Sequence, residues 1–162
     1  MRFHRKTKLD SALTTIASPT NTATTIQTTL VLLDPTSHDG ESALSMLDAT
    51  DENITLLVLL SGPASPSLRD FARSENIDVS TAGWRYLDQV VERVEFPPEQ
   101  LFTMVVGGPS AAAELAEVAA TRPVRRVLLP SSVDRLEPGM TDLLAACVDA
   151  PVLTAAVLTR IA

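Results

Sequence analysis

Short apolar runs alternate with polar turns and with segments of helical periodicity from residue 28 onward. The apolar runs are continuous and rich in Val, Leu and Ile, which is typical of strands covered on both faces. Five of them are predicted strands: residues 28–34 (TTLVLLD), 53–60 (NITLLVLL), 101–108 (LFTMVVGG), 125–130 (RRVLLP) and 151–158 (PVLTAAVL).

Segments of helical spacing lie between these strands, around residues 41–49, 67–75, 110–121 and 141–148. Residues 77–81 (IDVST) are compatible with either a short strand or a linker. Strands that alternate with helices predict an α/β fold. We expect a doubly wound, mainly parallel five-stranded sheet with helices on both faces, or six strands if 77–81 pairs.

The first 28 residues differ from the rest, and we predict a basic, then Thr-rich, N-terminal extension (1–28) before one domain over residues 29–162. The octet MRFHRKTK contains four basic residues and no acidic one, which leaves nine basic against 20 acidic residues, a net charge of −11, in the remainder. Such an extension could dock on an acidic partner or an anionic membrane. Four charges, at about 1 kcal/mol each, do not anchor a protein stably.

Composition and charge disfavour nucleic-acid binding and membrane insertion as functions of this protein. An acidic body disfavours a nucleic-acid surface, which needs clustered Lys and Arg. No apolar run approaches the roughly 18 residues that span a bilayer, so we expect no stable membrane insertion. A secretory signal is missing, while the Thr-rich, acid-poor start is also compatible with an organellar transit peptide; cytoplasm is the default expectation.

Candidate groups for metal or covalent chemistry are few. Cys147, the single cysteine, lies in an apolar helical run and is predicted to be a small buried hydrophobe. The two histidines, His4 and His38, have no second ligand at metal-binding spacing, so no metal site is expected. A serine hydrolase would need a base such as His38 near a serine, and the chain has no Gly-x-Ser-x-Gly elbow to present one. We therefore expect no enzymatic activity.

Three ordered blocks of the chain resemble the universal stress protein family. They are TLVLLDPTSHDGESAL, VVGGPSAAAELAEVAATRPVRRVLLPSS and GMTDLLAACVDAPVLTAAV. They are similar to the family's first strand with its terminal aspartate, its central strand–helix–strand block, and its last helix and strand. The resemblance implies the doubly wound fold predicted above.

Family members that bind ATP carry Gly-x-x-Gly, nine residues, then Gly-Ser/Thr after the fourth strand, and this chain departs from that pattern. The first glycine position holds Pro130 or Ser131, and the second holds Val133 or Asp134. Only Gly139 remains, and Met140 and Thr141 follow it in a loop that is shorter than the family's.

Each change acts against a polyphosphate. Pro130 lacks an N–H donor, and the missing glycines prevent close backbone approach. Asp134 and Glu137 add negative charge, and one like charge about 5 Å away costs roughly 2–3 kcal/mol at an effective dielectric of 20–30. We expect no cofactor of this type.

A reduced cleft for a nucleotide or small anion is the alternative, formed by Asp34, Ser131, Ser132, Gly139 and Thr141. In the resembled family the aspartate after the first strand lies in the ligand cleft. The structural alternative is that Asp34 caps the turn after its strand and that Thr141 is the N-cap of the last helix. The junction at Gly107–Ser110 is a weaker candidate anion site.

Two features indicate protein contacts. An apolar stripe at helical spacing, Trp84, Leu87, Val91 and Val94, is either core or a partner-facing groove. The resemblance implies a homodimer through the last strand, and an apolar edge strand favours such a partner. The residues of that predicted edge are Val152, Leu153, Thr154, Ala155, Ala156 and Val157.

The sequence thus favours a non-enzymatic, homodimeric regulatory or scaffolding protein that acts through protein–protein interaction, with an unidentified protein partner. An acidic body and a basic extension give it two surfaces of opposite sign. A nucleotide- or small-anion-binding protein is the alternative, and a small hydrolase is the third class considered.

Overall fold

Five parallel strands form the sheet of this protein in a computed structural model that describes residues 26–37, 39–45, 47, 52–60, 65–107, 110–133 and 138–155. The strand order is β3-β2-β1-β4-β5, which places β1 at the centre. The strands are β1 (Thr28–Leu32), β2 (Asn53–Leu59), β3 (Leu101–Val106), β4 (Val124–Leu129) and β5 (Val152–Thr154).

Five helices of the described residues cover the two faces of this sheet. They are α1 (Asp39–Leu44), α2 (Ser65–Glu75), α3 (Val79–Arg93), α4 (Ala111–Ala120) and α5 (Met140–Cys147), and a 3₁₀ turn at Pro98–Gln100 precedes β3. The helices α1 to α3 connect β1, β2 and β3, whereas α4 and α5 connect β3, β4 and β5. Because parallel crossovers are right-handed, the two groups lie on opposite faces.

The central strand shows how the alternation of side chains builds two cores. Leu30 and Leu32 point to the layer of α4 and α5, where they pack near Leu115. Val31 and Leu33 point to the layer of α1, α2 and α3. All four are at most 1 % exposed, as expected for a strand covered on both faces. The predicted doubly wound α/β fold is confirmed.

Residues 77–81 are not a strand. Asp78 is the N-cap of α3, and its carboxylate accepts a hydrogen bond from the backbone N–H of Thr81 at 2.9 Å. Hydrogen bonds to Thr81 also lower the pKa of Asp78. Because the cap satisfies the first turn of the helix, Val79 begins α3 despite its β-branched side chain, and the described sheet keeps five strands.

Two ends of elements differ from the prediction. The N-cap of α5 is Gly139, in the left-handed region at φ 78°, and Thr141 lies inside the helix, so the prediction of Thr141 as the N-cap is wrong. Strand β5 ends at Thr154, because Ala155 already has helical conformation; Ala156 and Val157 lie outside the described residues.

The sheet begins inside the segment that was predicted as an extension. Thr28 is the first residue of β1, and its N–H donates to the carbonyl of Pro123 at 3.0 Å. The carbonyl of Gln27 accepts from the N–H of Asn53 at 3.1 Å. The remaining residues of the extension, 1–25, lie outside the described part of the chain.

Candidate functional site

The strand order reverses between β1 and β4, which makes this the topological switch point of the sheet. In open α/β sheets ligands bind in the crevice at the carboxyl ends of the strands at that point. Here the crevice lies between Asp34, which follows β1, and the pair Ser131 and Ser132, which follows β4. The structure therefore brings the predicted residues of the two strand ends together.

Asp34 is buried and its carboxylate is fully engaged by the protein. One oxygen, Oδ1, accepts from the backbone N–H of Thr36 at 2.9 Å and from its hydroxyl at 2.7 Å. The other, Oδ2, accepts from the hydroxyl of Ser132 at 2.6 Å. Asp34 is 2 % exposed and Ser132 is 4 % exposed. Asp34 thus caps the turn that follows β1, as in the structural alternative, and it also ties that turn to the end of β4.

This bond ties the ends of β1 and β4 together at the switch point. A ligand that took the place of Ser132 on Asp34 would have to break it, and hydrogen bonds to a buried charge are worth about 1.5–3 kcal/mol each. A substitute donor on the ligand would be needed to offset that cost. The bridge therefore favours the closed arrangement of these two side chains.

The loop after β4 starts with a tight turn. Pro130 is buried, and its carbonyl accepts from the N–H of Val133 at 3.0 Å. Ser131, at the tip of the turn, is exposed, whereas its neighbour Ser132 is buried. Asp134 and Glu137 lie outside the described residues.

Gly139 and Thr141 lie at the start of α5. Gly139 is exposed, and a Cβ built on it would meet no atom within 4 Å. Met140 is 1 % exposed and packs into the core below α4 and α5, whereas Thr141 is half-buried. Of the predicted cleft residues, Asp34 and Ser132 are joined directly.

Tyr86 is a member of this region that the sequence analysis missed. Its hydroxyl lies 3.4 Å from the backbone carbonyl of Asp34, to which it donates. Burial, and then the carboxylates of Glu41 and Asp34, raise the pKa of Tyr86 far above its ordinary value. The phenol therefore stays protonated and acts as a donor. The sequence did offer one indication of it: Tyr86, an aromatic residue with a polar hydroxyl, is adjacent to Leu87 on the apolar side of a helical pattern.

A second polar cluster, also missed, lies at the amino edge of the sheet. The buried carboxylate of Glu52 forms an ion pair with Arg126 and accepts from the hydroxyl of Thr29. Arg126 Nε also donates to that hydroxyl at 3.2 Å. Glu52 is 2 % exposed and Thr29 is 0 % exposed. Since the three groups satisfy one another, this cluster is a structural element of the sheet.

The apolar stripe of α3 is mostly core. Leu87 is 0 % exposed, and Val91 and Val94 pack against the same core. Trp84, however, is 43 % exposed. The core interpretation is therefore right for the three aliphatic members, while the tryptophan lies at the margin of the buried face of α3.

Cys147 is exposed, so the prediction that it is buried is wrong. It is the last residue of α5, and it lines a groove with Ala119 and Pro123. The sequence showed an apolar helical run around Cys147 but could not show which residues of that run are covered.

The described residues contain no group of three or more His, Cys, Asp or Glu side chains arranged to hold a metal ion. Within the same ranges, none of the helices combines the length and apolarity needed to cross a bilayer. Both histidines, His4 and His38, and the junction residues Gly108 and Pro109 lie outside the described part of the chain.

The fold is similar to two solved structures. Hypothetical protein MJ0577, whose structure served a structure-based assignment of its biochemical function, has a TM-score of 0.55 and 17% identity over 80% of this chain and 95% of its own. Hypothetical protein PH0823 has a TM-score of 0.54 and 18% identity over 79% and 94%. No protein-family model and no curated protein matches the chain. At such identities the likeness establishes the fold alone, and it agrees with the predicted doubly wound α/β fold.

Proposed function

We propose that this protein is a non-enzymatic regulatory or scaffolding protein that acts by binding other proteins, as a homodimer joined through β5. The observation that carries the proposal is the bridge between Asp34 and Ser132, in which the protein's own serine occupies the candidate ligand group at the switch point. A protein of this fold without an open crevice is left with its outer surfaces for function.

The loop after β4 supports the same proposal. A polyphosphate is held by backbone N–H groups that wrap it at a helix N-terminus. Pro130 contributes no N–H, and its carbonyl is taken by the turn to Val133. Met140, the first residue of α5, is buried in the core, which fixes that end of the loop. Among the described residues of this turn, Pro130 offers no donor and the N–H of Val133 is already bonded.

The surface features fit a docking protein. Both edge strands of the described sheet, β3 and β5, are uncharged, and Phe102 on β3 is 48 % exposed. Natural edge strands are usually protected by charges or by a covering element. Uncharged edges with apolar side chains favour pairing with another chain.

A titration by thermal unfolding tests the closed crevice. We expect millimolar Mg-ATP, AMP or inorganic phosphate to change the Tm by less than about 1 °C, because a ligand that binds weakly stabilises little. Sodium sulfate at matched ionic strength is the control for salt effects. A specific rise of several degrees with ATP or AMP would contradict the proposal and would favour the nucleotide-binding alternative.

Sedimentation of a matched pair of variants tests the proposed dimer. Thr154 in β5 and Thr103 in β3 are both half-buried threonines on edge strands. In a two-fold interface through β5, Thr154→Lys places two like charges close together. We therefore expect the dissociation constant of the dimer to rise about tenfold or more, equivalent to ~1.4 kcal/mol. Thr103→Lys should leave the dimer unchanged. The reverse pattern, or a monomeric native chain, would overturn the assignment to β5.

A nucleotide or small-anion binder remains the second candidate because of Gly139. This glycine has a left-handed φ at the start of α5 and open space around it, as a close backbone approach would need. The titration above decides between the two functions.

A further inference from the structure

A groove of about 330 Å³ lies between α1 and the end of α3. Its apolar lining is formed by Leu44, Val94 and Phe96. Leu44 ends α1 just before the chain returns to β2, and Val94 and Phe96 lead from α3 to the start of β3. The groove, here called the amino-edge groove, is therefore at the edge of the sheet where the strands begin.

The rim of the amino-edge groove is acidic. Glu41 and Glu95 line it together with one basic residue, Arg93, which pairs with Glu41 at 3.0 Å. Glu95 is exposed, and so is its neighbour Glu92. An apolar floor with a net negative rim fits a segment that combines an apolar side chain with several cationic ones.

The chain itself enters the domain at the same edge. Ile26, the first described residue, is 59 % exposed, and Gln27 next to it bonds to Asn53 at the start of β2. In the sheet, Ile54 of β2 is in register with Leu101, which follows Phe96 closely. Twenty-five residues precede Ile26, and that length spans up to roughly 80 Å when extended. A domain of this size has a radius of gyration of about 15 Å, so residue 1 can reach the groove.

We propose that residues 1–8 bind in the amino-edge groove of their own chain. This octet, MRFHRKTK, has the required chemistry: Phe3 for the apolar floor, and four basic side chains without an acidic one for the rim. The pairing joins the basic N-terminal octet to an acidic, apolar surface beside its point of entry. It goes beyond the proposed function, and it also identifies basic, aromatic-containing peptides as the partners that would compete for the groove.

Paramagnetic relaxation in the full-length chain tests the proposal. A spin label on His4→Cys, with the exposed Cys147→Ser to leave one thiol, should broaden the amide signals of residues 41–45 and 93–96. The signals of α5, on the opposite face of the sheet, should stay sharp. Mixing labelled chains with unlabelled, isotope-enriched chains separates binding within one chain from binding to a second copy.

Two variants that each replace a glutamate by the uncharged glutamine test the role of charge in this docking. Glu95→Gln should lower the equilibrium constant for docking about threefold, which is the effect of one exposed ion pair. A salt concentration of 0.5 M should lower it further. Glu99→Gln, an equally exposed glutamate outside the groove lining, is the matched control and should change nothing. Broadening on another surface, broadening only in the mixed sample, or equal effects of the two variants would each overturn the proposal. None of these outcomes depends on the β5 dimer or on the closed crevice.

Discussion

Replacement of Arg126 by methionine is expected to lower the free energy of unfolding by about 3 kcal/mol, because it leaves the buried carboxylate of Glu52 without its cation. Removing one partner of a buried ion pair typically costs 3–5 kcal/mol. The lower end applies here because the Arg126 side chain is 24 % exposed and water can reach part of the site. Urea denaturation of the native chain and the variant measures the difference.

A double variant separates the charge from the packing. Glu52→Gln keeps an acceptor for the hydroxyl of Thr29 but removes the charge. In combination with Arg126→Met it should cost only about 1 kcal/mol, because replacing both members of a buried pair is often nearly neutral. The coupling between the two positions would then be about 2 kcal/mol. Costs that simply add would show that the pair is too exposed to matter.

The position of this pair explains why it was not predicted. Glu52 and Arg126 are separated by 74 positions and meet only through the register of β1 with its two neighbours, in which Thr29 is opposite Ile54 on one side and Arg126 on the other. Periodicity predicts that a strand exists, but it does not predict which residues face each other across a sheet. A charged residue inside an apolar strand, such as Arg126 in RRVLLP, was the only available signal.

The strands themselves could be predicted because burial on both faces requires continuous apolar runs, and the runs at β1, β2 and β3 begin at or near the observed residues. The prediction failed where a local capping interaction outweighed the preference that the composition of the segment indicates. Val79 to Thr81 favour a strand by their composition, but the side chain of Asp78 caps a helix there. The cap of α5 depends on the backbone freedom of Gly139 and not on the hydroxyl of Thr141.

The candidate site was predicted in its location and only partly in its arrangement. Asp34 and Ser132 follow the two central strands, so their proximity follows from strand order alone. That the serine points inward and bonds the carboxylate, while Ser131 beside it stays exposed, depends on the turn from Pro130 to Val133. The functional assignment, the dimer and the cytoplasmic location stay predictions.

Replacement of Asp34 by alanine is expected to lower the free energy of unfolding by about 2 kcal/mol, since a buried donor left without an acceptor costs about 1–3 kcal/mol and the hydroxyl of Ser132 is buried. The variant removes the acceptor of the Thr36 N–H and of the Ser132 hydroxyl together. Ser132→Ala alone removes one donor from a carboxylate that keeps two others, so it should cost only about 1 kcal/mol. Thermal or urea unfolding measures both.

Asp34→Asn is the matched control for the charge. An amide has nearly the same shape, its oxygen can accept from Thr36, and its nitrogen can donate to the hydroxyl oxygen of Ser132. We therefore expect it to cost less than half of the alanine effect. A residue kept only to bind a ligand would behave differently, because Asp34→Ala would then leave stability unchanged and abolish a ligand-induced rise in Tm. Loss of stability without any ligand effect would mean that Asp34 is a structural tie between β1 and β4.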